Sequence, residues 1–203
     1  MARLTLLTLV LVTCVTVLSG DDFTRFRGAD ATGVATDHPG LPTRWSETEN
    51  LAWVADVPGQ GWGSPIVVGD RVFLTSVVAD EENLRPQSGL YMGLGVRDPA
   101  KGTHHWMVYC VDLHSGQLRW EREAHTGQPV VPRHPKSSYA AETSTTDGQR
   151  LFVLFGDLGL YCYDLDGELL WSQMIEPKKT NMDYGAASSP VVHDGQVIVV
   201  YDN

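Results

Sequence analysis

The strongest constraint on this chain is a hairpin that recurs and closes on tryptophan. Tyr109-Cys110-Val111-Asp112-Leu113-His114-Ser115-Gly116-Gln117-Leu118-Arg119-Trp120 aligns with Tyr161-Cys162-Tyr163-Asp164-Leu165-Asp166-Gly167-Glu168-Leu169-Leu170-Trp171. Each reads as an apolar strand, a turn running from Asp to Gly, and a second strand ending on Trp. Asp suits the turn because its carboxylate caps local amides, and Gly because it accepts positive φ. Trp53, in Asn50-Leu51-Ala52-Trp53, matches the closing strand of a preceding unit.

A second set of hairpins interleaves with the first. Its copies start at Ser64-Pro65, Thr143-Ser144 and Ser189-Pro190, and turn at Gly69-Asp70, Asp147-Gly148 and Asp194-Gly195. An inner hairpin followed by an outer one makes a unit of four short strands. The period is about 45–50 residues, apart from an insertion at about 77–105. No stretch keeps apolar residues at helical spacing, whereas short alternating strands recur at even intervals. Four-stranded units at this period predict an all-β fold, a β-propeller. A β-sandwich does not explain a repeated Trp-closing hairpin. The propeller is incomplete in this chain, at about two to three blades plus a lead-in segment. Because the third inner hairpin stops at Tyr201-Asp202-Asn203, the expectation is a piece of a longer propeller.

The first 20 residues read as an address. Arg3 precedes an apolar run from Leu4 to Leu18, and small residues Ser19-Gly20 follow. This pattern predicts a signal peptide at 1–20, with the partial propeller at 21–203. The run falls short of the ~20 residues needed to span a bilayer. Cys14 sits inside the apolar run behind Thr13, a poor setting for lipid attachment. The predicted location is therefore periplasmic or secreted, with no span after cleavage. With 25 acidic residues against 15 basic, a nucleic-acid surface is excluded. Cys110 and Cys162 hold matched repeat positions, which suggests small buried strand residues. An exported protein also permits a disulfide between them.

The outer hairpins resemble the pyrroloquinoline quinone (PQQ)-like repeat. That repeat reads Ala/Tyr-Leu-Asp-x-x-Thr-Gly-x-x-x-Trp. Phe26-Arg27-Gly28, Gly33-Val34, Leu41-Pro42, Trp45 and Asn50 to Trp53 resemble the opening of secreted bacterial proteins of this kind. The resemblance implies PQQ-like blades and one of two functions. One is a PQQ- and Ca²⁺-dependent dehydrogenase of alcohols or sugars. The other is a cofactor-free scaffold, similar to the propeller lipoprotein of outer-membrane protein assembly. Fold alone does not separate them. The sequence holds no vicinal Cys pair, no Cys-x-x-Cys-His haem site and no clear acidic set for Ca²⁺. The expected role is thus a non-catalytic binding or scaffold module with an envelope protein or a small molecule as partner. The alternative is a quinoprotein oxidoreductase whose site lies mostly outside this chain. PQQ with Ca²⁺ enters by resemblance alone, and no metal site is predicted.

Candidate site residues come from the stretches preceding each inner strand. Trp62, Ser64, Tyr139, Glu142, Tyr184 and Ser188 are candidates for an axial pocket. The competing reading is packing between blades. Arg133, His134 and Lys136 form a candidate basic loop, suited to an anionic substrate or an acidic partner face. Its competing reading is a solvated connection. His104, His105 and His125 are read as loop histidines. The insertion is expected to be a surface loop or flap.

Overall fold

Alternating apolar residues build two like sheets in succession. The computed structural model describes residues 22–34, 40–80 and 97–201. The predicted signal peptide lies outside the described residues, as do positions 81–96 of the predicted insertion.

The first sheet orders strands β1 (Ile66–Val68), β2 (Arg71–Ala79), β3 (His104–Asp112) and β4 (Leu118–Gly127). The second orders β5 (Thr145–Thr146), β6 (Arg150–Phe155), β7 (Gly159–Asp164) and β8 (Leu169–Met174). Neighbours pair antiparallel throughout. A third inner hairpin follows, β9 (Val191–His193) with β10 (Gln196–Ile198). These are two four-stranded blades and the start of a third. A 3₁₀ turn at Asn181–Asp183 is the one helical element among the described residues.

The repeat extends to fine detail. In both blades the third and fourth strands slip register at one repeat position, between Cys110 and Val111 and between Cys162 and Tyr163. Such bulges sharpen local twist. In each outer turn the Asp caps two amides. Asp112 Oδ1 accepts from His114 (3.0 Å) and Ser115 (2.8 Å), and Asp164 Oδ1 from Asp166 (3.0 Å) and Glu168 (2.7 Å). Arg119 beside Asp112 holds that carboxyl well below the usual range.

The turn glycines serve the neighbouring blade. Trp53 lies on Gly116, where an added Cβ would sit 2.6 Å from the indole; Trp120 lies on Gly167, where it would sit 2.8 Å away. Trp53 Nε1 donates to Leu113 O at 2.8 Å, and Trp120 Nε1 to Leu165 O at 3.1 Å. A second ladder runs along the inner strands. Ser64 N donates to Thr143 Oγ1 (2.9 Å), and Thr143 N to Ser189 Oγ (3.0 Å). The blades thus interlock at both margins.

Between the margins the core is apolar. Ile66, Phe73, Trp106 and Val108 of the first blade pack with Leu151, Val153, Phe155 and Tyr163 of the second. The opposite face of the second blade buries Phe152, Leu154 and Leu160 against Val192 and Val197 of the third hairpin. Cys110 belongs to the first cluster and Cys162 to the second, and both are buried free thiols. Burial pushes the Cys110 thiol up to about 11, so it stays protonated.

Two sequence readings need adjustment. The insertion is narrower than 77–105, because β2 and β3 stay paired out to Ala79 and His104. It links the second and third strands of the first blade. His104 and His105 lie on β3 and His125 on β4, not in loops. Alternation at Trp106, Val108 and Cys110 carries the strand back through His104, which is fully buried.

If docking on glycine holds the blades together, a docked tryptophan should outweigh an exposed one. Trp120→Ala is expected to cost about 3 kcal/mol. Trp45, 76% exposed on the lead-in segment, should cost less than about 1 kcal/mol as Ala. Urea unfolding midpoints test this, and equal losses would contradict it.

Candidate functional site

The blade topology sorts the connections by end. Inner turns (β1–β2, β5–β6, β9–β10) and outer turns (β3–β4, β7–β8) share one end, here the lower. The β2–β3 and β6–β7 links and the long connections from β4 to β5 and from β8 to β9 share the upper end. The lower turns are short and the outer ones are docked, so the long connections lie above.

The upper end holds a buried polar cavity. Its walls come from the β4–β5 connection (Arg133, Ser138, Tyr139, Glu142), the β6–β7 turn (Gly156, Asp157) and the β8–β9 connection (Lys178, Gly185, Ala186). Its volume is about 20 Å³, room for one ordered water. Glu142 is 3% exposed and Asp157 6%. Glu142 Oε1 accepts from Gly156 N and Oε2 from Ala141 N, each at 3.1 Å. Burial pushes the Glu142 carboxyl up to about 8, and the Asp157 charge adds to the rise. Burial pushes Asp157 up to about 7, opposed by its own backbone amide and by the Trp106 indole. Even so, neither Asp157 Oδ2 nor Trp106 Nε1 completes a hydrogen bond. Gly156 is required where it stands, since a Cβ would lie 2.2 Å from Ala186 Cβ and 2.5 Å from Glu142 Oε1.

The aromatic wall is braced from outside. Tyr139 OH donates to Val131 O (3.0 Å) and accepts from Ala100 N (3.1 Å). The guanidinium of Arg133 lies over the Tyr139 ring, 5.3 Å from its centroid, and donates to the carbonyls of His134 and Ser137. His104 packs edge-on to Tyr139 at 5.7 Å, and burial lowers its pKa. Tyr201 OH accepts from Lys178 N (3.1 Å) and donates to Gly156 O (2.8 Å).

The six candidates for an axial pocket therefore do not converge. Tyr139 and Glu142 share the cavity. Ser64 serves the inter-blade ladder, and Ser188 is exposed. Trp62 is 56% exposed, and its backbone N–H donates to Ala140 O at 2.8 Å. Tyr184 is 50% exposed and meets His134 edge-on at 5.1 Å. In the basic loop Arg133 lines the cavity, His134 backs Tyr184, and Lys136 is exposed. Sequence reasoning missed Asp157, which resembles any turn Asp in Gly156-Asp157-Leu158-Gly159. A usable signal marked Glu142, because the aligned positions hold Gly63 and Ser188.

The cavity does not fit PQQ, a tricyclic tricarboxylate far larger than one water, so no redox step is built on it. Among the described residues no group of three or more His, Cys, Asp or Glu could hold a metal ion.

Four-stranded blades with tryptophans docked on successive turn glycines define a β-propeller protein of PQQ-like repeats. The family described as outer membrane protein assembly factor BamB matches residues 26–203, and the chain belongs to that family. No curated protein matches the chain.

A carboxyl whose pKa rises on folding binds its proton more tightly in the native state. Its contribution is fully present below the ordinary carboxylate range and is lost as pH rises through about 7 to 8. Asp157→Asn removes one titration without removing a hydrogen bond at Oδ2. It should raise stability at pH ~8.5 by on the order of 2 kcal/mol and change it little at pH ~5. Thermal unfolding at both pH values checks this, and a uniform effect would refute it.

Proposed function

We propose that this chain is an exported, non-catalytic binding module that holds an envelope protein with its upper end. The carrying observation is the contrast between the ends. The lower end is made of tight turns: the two outer ones are each fixed by an Asp cap and a neighbour's Trp, and the β5–β6 turn by the Asp147 cap. The upper end exposes Trp62, Met182 and Tyr184 on long connections, at 56%, 41% and 50%. Exposed Trp and Tyr are the side chains that most often anchor protein interfaces. The family's description as an outer membrane assembly factor supports an envelope partner. The signal-peptide pattern at 1–20 supports export, and among the described residues no helix is long and apolar enough to cross a membrane. The buried cavity is then a structural support beneath the binding loops and not a ligand pocket.

A photo-crosslinking amino acid at position 62 or 184 should capture one discrete envelope protein in cells. The same group at exposed His114, on the lower end, should capture none. Equal capture from both ends would defeat the proposal. Dye-linked alcohol oxidation after loading with PQQ and Ca²⁺ would defeat its non-catalytic part.

A further inference from the structure

The protein is acidic overall, with formal net charge −10, yet its charge is unevenly placed. The upper-end segments 97–103, 128–144 and 175–190 carry six basic residues, namely Arg97, Lys101, Arg133, Lys136, Lys178 and Lys179. Their exposed carboxylates are Asp98 and Glu176, and at the start of the β2–β3 link exposed Asp80 adds a third, paired with His105 at 3.1 Å. The other two acids in these segments are Glu142, which is buried, and Asp183, which is 3% exposed and tied to Lys179 Nζ at 3.3 Å. The lower end is the reverse. Its turns hold Asp70, Asp112, Asp147, Asp164, Asp166 and Asp194, with arginines 71, 119 and 150 paired among them.

The fold draws the three basic segments together. Arg97 N donates to Asp183 Oδ2 at 2.7 Å, and its guanidinium donates to Met182 O (2.8 Å) and Asp183 O (3.1 Å). That side chain also lies 5.9 Å from the Tyr184 ring centroid. His134 N donates to Tyr184 O at 3.1 Å, and Ala100 N to Tyr139 OH at 3.1 Å. The segment leading into β3, the β4–β5 loop and the β8–β9 connection thus form one surface. Arg97 and Arg133 help build it, whereas Lys101, Lys136, Lys178 and Lys179 are exposed on it.

Resting on the binding-module reading above, we infer that the upper end recognises an acidic, aromatic-bearing segment of a protein. Lysines around exposed Tyr184 and Met182 supply attraction and orientation, and the apolar groups supply contact area. An acidic partner is repelled by the rest of this molecule, so the asymmetry selects the docking face. The aromatic component favours a polypeptide over a bare polyanion.

The probe is a fluorescein-labelled, glutamate-rich copolymer of glutamate and tyrosine, with binding followed by anisotropy. Affinity should fall steeply between about 20 and about 200 mM salt. The K101E/K136E/K178E variant, altered at exposed positions, should lose about tenfold or more at the lower salt. The E168K/H193K variant adds positive charge at the lower end and should bind as the parent does. Circular dichroism confirms that each variant folds. A gain of affinity in E168K/H193K alongside the loss in K101E/K136E/K178E would show a net-charge effect and overturn the inference, as would binding to phosphatidylglycerol vesicles without binding to the copolymer. If position 184 still captures its protein in K101E/K136E/K178E at undiminished yield, the acidic-partner inference falls while the binding-module reading stands.

Discussion

The indoles of Trp53 and Trp120 each rest on the turn glycine of the next blade, and the array depends on that contact. It couples two demands in one place. The glycine needs positive φ for the turn, at 71° for Gly116 and 87° for Gly167. It also needs a bare Cα so that the indole can approach. The indole N–H then reaches the carbonyl of the residue after the capping Asp, Leu113 or Leu165. Asp sets the turn, Gly accepts the neighbour and Trp supplies it, so all three residue types follow from one interface. Arg122 strengthens the second copy, donating to Gly167 O at 2.7 Å with its guanidinium over Trp120.

This explains why the fold was so legible in the sequence. Each element of the docking is a residue type at a fixed spacing, and the spacing recurs. The inner ladder was legible as well, because aligning Ser64, Thr143 and Ser189 predicts the positions that link one blade to the next. What stayed hidden had no periodic signature. The two cysteines occupy matched positions, but only the pairing shows that Cys110 faces the second blade and Cys162 the third hairpin. The histidines of β3 and β4 carry no strand signal of their own, because His104-His105 looks polar while strand alternation buries His104 and leaves His105 half-buried. His105 then bridges Glu123 (2.6 Å) and Asp80 (3.1 Å), which raises its pKa.

The site was half legible for a related reason. Glu142 departs from a repeat position that otherwise holds Gly63 and Ser188, and departures of this kind stand out. Asp157 departs from nothing, because turn aspartates are common here. Tyr184 and Ser188 align with the cavity-lining Ser138 and Glu142, and Trp62 with Ala141, yet the long upper connections turn all three outward. A rigid repeat fixes where a strand begins. It does not fix the path of the loop that precedes it.

The same distinction separates the two ends of the molecule. Changing an outer turn at the lower end disturbs the Asp cap, the glycine or the indole above it, so each such change is opposed by the packing of a whole blade. Upper connections answer to no docked tryptophan. They are held by local contacts, such as Arg97 on Asp183 and Tyr139 OH between Ala100 and Val131. Such contacts can be exchanged one at a time without loosening the core. The propeller therefore leaves the upper end the freer of the two to change, and that is the end the proposed binding reading uses. Glu142 and Asp157 fit this picture as supports. Their burial costs stability as pH rises, but they anchor the β6–β7 turn under the loops that carry the exposed aromatic groups.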